Sequence, residues 1–465
     1  MTAADLVVRA DRAWVDGAWR PAAVVVRAGV VVGLLARDAV VAAREDVAVD
    51  ADHVLLPGLV DSHVHVDEPG RTHWEGFATA TRAAALGGVT TLVDMPLNSD
   101  PVTTSAAALA VKRASAEGRV HVDVAFWGGA VPEGLDRLDE MHAAGVAGFK
   151  CFTAPSGLDA FPPLDAAQLD EALATVARLG TVLVVHAEDP ALLTPHAALG
   201  TRHADFAATR PALAERRAVA RLLDGVRATG ARAHVLHLAD GGSLPMLRAA
   251  RAEGLPVTVE TCPHHLVLAG EDVPDGGTAA KCCPPLRDAA SRDALWEGLL
   301  DGTVGCVVSD HSPAPAELKG DDFGLAWGGI SGLQVGLRAL WTGARRRGIP
   351  LEAVLPAVTT GPAALAGLPD RGRIAVGAPA HLVAFDPDAR STVRAADLAH
   401  RCPVSAWDGH ELDGEVVGTW LHGRRLVDAS ASALRLVDDR PGGRLLVPAA
   451  AGTVSGPAAV PGSVA

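Results

Sequence analysis

Pro57-Gly58-Leu59-Val60-Asp61-Ser62-His63-Val64-His65 is the stretch on which the reading of the whole chain turns. An apolar run, Val54 to Leu56, passes through a Pro-Gly turn into a short β pattern that ends in two histidines. Side chains alternate between the faces of a strand, so His63 and His65 aim at one spot. Two neutral imidazoles with a common focus suit a transition-metal ion. Two histidines can also alternate by chance, and the rest of the chain decides between these readings.

Beyond Pro57, strand-like runs alternate with Ala-, Leu- and Arg-rich helical stretches, the pattern of βα units around a parallel sheet. The runs are Leu59–His65, Val89–Asp94, Val120–Trp127, Val146–Phe152, Val182–His186, Ala233–His237, Val257–Cys262 and Val304–Asp310. Helical patterns fall near 75–86, 104–117, 134–144, 165–179, 211–229, 243–253, 288–301 and 331–347. Eight of each predict an α/β fold of the (β/α)8 TIM-barrel type over 57–370. An open doubly wound sheet is the competing architecture, but no Gly-rich nucleotide loop follows the first strand.

Both ends of the chain are β-rich instead. Leu6–Val8, Ala23–Val26, Val30–Leu35 and Val47–Val49 precede the barrel; Arg373–Gly377, His381–Phe385 and Glu415–Leu421 follow it. Residues 1–56 and 371–440 are therefore expected to meet in one small composite β-sandwich. Residues 441–465, rich in Ala, Gly, Pro, Val and Ser, read as a flexible tail.

The active face of such a barrel lies at the C-terminal ends of its strands. The first run ends in His63 and His65, the fourth in Lys150, the fifth in His186, the sixth in His237 and the eighth in Asp310. Each residue alone has an ordinary structural reading, but their joint placement at strand ends points to a metal centre. Lys150 needs separate treatment, because an ammonium beside cations is repelled and burial favours the neutral amine. A neutral amine can take up CO₂ to give a carbamate, an anionic ligand able to bridge two metals. A substrate-binding cation is the alternative role for Lys150.

Charge and cysteines narrow the partners. A net charge of −14 argues against nucleic acid and anionic membrane, which both require a positive field. No uncharged apolar run has membrane-spanning length. The N-terminus carries Asp5, Arg9, Asp11 and Arg12 among apolar residues, unlike a secretory signal. Six cysteines without C-x-x-C spacing suggest free thiols in a reducing cytoplasm. Cys282-Cys283-Pro284-Pro285 reads as a packed loop, and His264 and His265 as supporting residues that do not ligate.

His63-Val64-His65, Lys150, His186, His237 and Asp310, in this order, resemble the binuclear cyclic amidohydrolases: hydantoinases, dihydroorotases and allantoinases. The likeness runs from about Pro57 to Leu368. Longer stretches resemble the allantoinases in particular: His65–Arg71 with Trp74–Phe77, Asp94–Ser99, Gly148–Phe152, Glu260–His264, Ser309–Pro313 and Ala326–Ser331. Asp67 departs from the Asn usual there in bacterial members.

This resemblance implies two divalent ions, Zn2+ first and Mn2+, Co2+, Fe2+ or Ni2+ as alternatives. It implies that His63 and His65 hold the more buried ion, that His186 and His237 hold the other, and that carboxylated Lys150 bridges them. Asp310 would touch the buried ion and shuttle the proton. The implied reaction opens the hydantoin ring of allantoin to allantoate, in a homo-oligomer, dimer or tetramer. Asn98, Ser312, Gly329 and Ile330 are the expected substrate contacts, with a turn residue as the other reading of Asn98; Arg71 either contacts substrate or pairs with Glu68 or Glu75, the pairing being favoured. Two alternatives remain open at this point: a hydantoinase of broader cyclic-ureide range, and a metal-free scaffold relative.

Overall fold

The computed structural model describes residues 3–195, 197–430 and 433–448. Its centre is a parallel barrel with strands Leu59–Val64, Val89–Asp94, Asp123–Phe126, Phe149–Phe152, Val182–His186, Arg232–Val235, Val257–Thr261 and Cys306–Val307. The third strand is interrupted at Trp127, whose N–H still bonds Asp94 O at 3.0 Å, while Gly128 N–H turns to Gly148 O at 2.9 Å. Closure comes from Val64 pairing in parallel with His311 and from His65 N–H bonding His311 O at 2.8 Å.

Helices follow the strands where the sequence pattern placed them. Helix Ala166–Leu179 shows why: Asp165 and Gln168 form a reciprocal capping box, and Gly180 at φ 68° ends it in the left-handed region. Two further short helices, Leu351–Val358 and Thr360–Leu365, follow Gly336–Arg346 and pack on the eighth and first strands.

Strand parity sorts the side chains into two layers. Leu92, Val124, Phe149, Cys151, Leu183, Val185 and Val259 lie in the layer between strands and helices. Val93, Ala125, Phe152, Val184, Cys262 and Val308 belong to the inner cluster. His63, Lys150, His186 and Glu260 share the inner parity, so the barrel cavity is where they must converge.

The two β-rich ends join in one nine-stranded sheet. Strand Ala4–Val15 is its branch point: along one edge it pairs with Ala18–Arg27, and along the other first with Ala43–Ala48 and then, at Ala13, with Val54–Pro57. A bulge between Ala10 and Ala13 accompanies the switch, letting the sheet divide into two leaves over Leu6, Val8, Val24, Leu55, Leu382 and Trp420. The expected strand Arg373–Gly377 does not form. Gly372 and Gly377 take positive φ there, and the chain bonds the edge of Val30–Leu35 only through Gly377 N–H and Ala378 O.

The flexible tail expected from residue 441 is also corrected for its described part. Gly443 N–H bonds Val120 O at 2.9 Å, Leu446 N–H bonds Val124 O at 2.7 Å, and Leu445 packs on the main core. Residues 449–465 lie outside the described residues.

Asp123, at the start of the third strand, fastens this C-terminal segment to the barrel. Its carboxylate meets Arg371 Nη2 at 3.1 Å and His422 Nε2 at 3.0 Å, and accepts Arg444 N–H at 2.9 Å. Burial pushes the Asp123 carboxyl up, but the His422 hydrogen bond and the Arg371 guanidinium outweigh it and hold the group below the usual range. A carboxyl depressed on folding stabilises above its unfolded pKa of about 3.9, and that stabilisation is lost as pH falls through the folded value. Asp123→Asn, which leaves the buried Arg371 with the exposed Asp370 as its remaining counter-charge, is expected to cost about 2 kcal/mol at neutral pH. The deficit should shrink below about pH 4. Denaturant midpoints at both pH values check this, and an unchanged midpoint at pH 7 would refute the fastening role.

Candidate active site

The six expected ligand positions come together at the C-terminal end of the barrel. His63 Nε2 lies 3.2 Å from Asp310 Oδ1 and 3.3 Å from Lys150 Nζ, and His65 Nε2 lies 3.5 Å from the same Asp310 oxygen. His186 Nδ1 faces His237 Nε2 at 3.1 Å, and the His63 and His237 rings are 5.3 Å apart. Ligand atoms of His63, His237 and Asp310 all lie within 4.8 Å of one another. His237 and Asp310 have φ of 33° and 42°, a sparsely populated region for residues other than glycine, just past the ends of their strands.

Burial sets the protonation of the cluster. It drives His65 to about 3 and His237 well below the ordinary imidazole value, so these rings are neutral. Burial also lowers Lys150 to about 8. At Asp310 burial acts in the opposite sense, but the His63, His65 and His237 rings overcome it and keep the carboxyl well below its usual range. Lys150 has no ion-pair partner among the described residues; its Nζ lies over the Phe152 ring at 5.1 Å.

Carboxylates that the sequence reading passed over orient these rings. Glu260, on the inner face of the seventh strand, meets His63 Nδ1 at 2.6 Å and His234 Nε2 at 3.0 Å, and accepts His237 N–H at 3.2 Å. Burial would raise Glu260, yet its histidine partners hold it at about 2. Glu188 meets His186 Nε2 at 2.7 Å and is paired with Arg210. Asp61 accepts His63 N–H and Ser309 N–H, both at 3.1 Å, tying the first strand to the eighth. The signal was available for Glu260 in its strand parity and for Glu188 in its position two residues beyond His186.

Among known proteins, the model of the amidohydrolase family matches residues 54–426. The chain is 52% identical over 428 residues to the allantoinase of Streptomyces avermitilis, covering 92% of this chain and 96% of that protein. The chain belongs to the amidohydrolase family. The allantoinase of Saccharomyces cerevisiae is 39% identical over 90% of this amidohydrolase and 94% of its own length. Among solved structures, the L-hydantoinase (dihydropyrimidinase) from Arthrobacter aurescens superposes with a TM-score of 0.90 at 28% identity, covering 96% of this chain and all of that one.

On the substrate side of this amidohydrolase, the expected contacts are partly engaged already. Asn98, at φ 66°, places its amide nitrogen 3.4 Å from His65 Nδ1. Gly329 O accepts from Lys319 Nζ at 2.6 Å, and Ile330 O accepts Ser312 N–H at 3.0 Å. Gly329 has φ 140° and lies so close to Ser312 that an added Cβ would collide with the Ser312 backbone. Arg71 does not pair with Glu68 or Glu75: Glu68 is taken by Arg119 and Phe77 N–H, and Glu75 by Arg401 N–H and His311. Its guanidinium instead lies over the Trp74 ring at 4.9 Å. Asp67 is buried, and neither carboxylate oxygen has a hydrogen-bond partner among the described residues.

Orienting carboxylates of this kind set metal affinity through the rings they hold. Glu260→Gln is expected to raise the metal concentration for half-reconstitution by about 10- to 100-fold. A metal titration followed by recovered activity and bound-metal count checks this; an unchanged midpoint would show that His63 needs no such partner.

Proposed function

We infer that this amidohydrolase hydrolyses the cyclic amide of allantoin, opening the hydantoin ring to give allantoate. The observation that carries the reading is the 52% identity over nearly the whole chain to an allantoinase. Residue chemistry agrees. Dihydroorotase-like enzymes need a cation for the substrate carboxylate, where this chain has Asp67, which supplies no positive charge. Hydantoinases tend to use a tyrosine two or more residues beyond the metal lysine, and this chain contains none; two residues beyond Lys150, Phe152 stacks on the His186 ring at 4.6 Å.

The donor set fits a pair of divalent ions. Neutral imidazole nitrogens of His186 and His237 face each other at 3.1 Å, and His63 and His65 converge on one Asp310 oxygen. We propose that His63, His65 and Asp310 hold one ion, that His186 and His237 hold the other, and that Lys150, N6-carboxylated, bridges both. Zn2+ is the first choice, with Mn2+, Co2+, Fe2+ and Ni2+ suited to the same donors. When bound, the pair supplies Lewis acidity, polarising the ring carbonyl and making water acidic enough to attack at neutral pH.

The chain's own groups do the rest. Asp310, ionised in the resting site, accepts the proton of the attacking water and returns it to the ring nitrogen as the C–N bond breaks. Glu260 and Glu188 hold His63 and His186 in fixed orientation. Asn98, Ser312, Gly329 and Ile330 surround the ureido arm. No helix among the described residues is long and apolar enough to cross a membrane, and all six cysteines are free thiols. These features support a cytoplasmic enzyme, and the family resemblance supports a homodimer or homotetramer.

The test is ring opening of allantoin by metal-loaded protein, beside hydantoin and dihydroorotate, with metal counted on the same sample. Faster turnover of allantoin with about two metals per chain is expected. A higher kcat/KM on hydantoin would overturn the substrate and leave a cyclic-ureide hydrolase of broader range. Neither metal nor activity after reconstitution with divalent metal and bicarbonate would favour a scaffold.

A further inference from the structure

We propose that His264, His265 and Cys282 form a binding site for a thiophilic d10 cation, close to Asp310 but separate from the six ligand positions. The ligand atoms of His264, His265 and Cys282 lie within 4.8 Å of one another, and those of Cys262, His264 and Asp310 do so too. The two triads share His264. All three proposed ligands are at least nine-tenths buried. His264 and His265 come from helix Pro263–Val267, just past the seventh strand, and Cys282 from the loop that follows.

A packed loop accounts for Cys282, whose thiol donates to Pro284 O at 3.2 Å. Packing does not account for the imidazoles. His264 Nε2 and His265 Nδ1 are buried with no hydrogen-bond partner among the described residues, and their rings are 4.4 Å apart. Two orphaned ring nitrogens in one place are costly, and a cation that takes their lone pairs removes the cost. A thiolate beside two imidazoles favours Cd2+ and other soft d10 ions over harder ones. Each thiol that coordinates releases one proton to solvent, so charge and atoms balance without a redox step.

Position gives the site a consequence. His264 also belongs to the triad with Asp310, so a cation seated on His264, His265 and Cys282 lies beside the carboxylate that handles the proton, and surplus thiophilic metal inhibits the enzyme. The binding itself depends on no particular substrate, so it stands or falls separately from the allantoin reading.

The full-length, metal-loaded enzyme is titrated with Cd2+ alone, followed by ultraviolet thiolate-to-cadmium charge-transfer absorption and by metal count after desalting. We expect about one Cd2+ beyond the reconstituted content, a charge-transfer band growing with it, and about a tenfold or greater loss of ring opening. Cys282 supplies the site's only proposed thiolate and is none of the six ligand positions, so Cys282→Ser should keep the uninhibited rate, lose the band and resist inhibition. His265→Gln serves as the second variant should the first not fold. Three results would overturn the site: no added Cd2+, added Cd2+ without a thiolate band, or a band and inhibition surviving both substitutions.

Discussion

Asp310→Asn is expected to keep its metal and to lose about a thousandfold in kcat for allantoin. The amide preserves the shape of the side chain and an oxygen toward the His63 and His65 rings, which now lie 3.2 and 3.5 Å from the carboxylate. What it removes is the capacity to accept a proton from water and return it to the ring nitrogen. The surrounding imidazoles keep the wild-type carboxyl well below its usual range, so the accepting form is present across the neutral region. Steady-state rates and a metal count on the same protein decide the matter. A variant within tenfold of wild type would remove Asp310 from proton transfer, and a variant that loses metal would make it a ligand first.

Lys150→Ala and Lys150→Arg form the second test, with an effect at least as large. If Lys150 acts as a carbamate, neither Ala nor Arg can take up CO₂, and both variants should lose bound metal together with about a thousandfold or more of kcat/KM. If Lys150 were a cation reading substrate, Arg would preserve charge and metal. The side chain is buried on the inner face of the fourth strand, without an ion-pair partner among the described residues and 3.3 Å from His63 Nε2. Growth with ¹³C-labelled bicarbonate offers an independent readout, since a carbamate carbon should appear in wild type and vanish from both variants. Metal-loaded, active Lys150→Arg would sink the carbamate.

Much of the catalytic end was legible because barrel chemistry is local in sequence. A strand end is one residue in a short apolar run, so His63, His65, Lys150, His186, His237 and Asp310 could be collected before any contact was known. Contacts between side chains far apart in sequence were less legible. The expected pairing of Arg71 with Glu68 or Glu75 failed because the Arg119 guanidinium and the backbone N–H of Arg401, brought from distant segments, reach those carboxylates first. The strand expected at Arg373–Gly377 failed because valine and isoleucine content cannot outweigh the positive-φ glycines that bracket it.

His237 marks the boundary most clearly. Ala233 and Val235 point into the helix-facing layer, and unbroken alternation would send His237 the same way. Only the left-handed turn at φ 33°, with His237 N–H held by Glu260, brings that ring to His186. Alternation along a strand, cap residues and the ends of apolar runs depend on neighbours in the chain, so the sequence by itself determined the barrel and the strand ends at which the candidate ligands stand. Which carboxylate steadies which imidazole, which arginine reaches which glutamate, and where a strained residue turns its ring depend on groups up to hundreds of residues apart, and only the closed tertiary structure decided them.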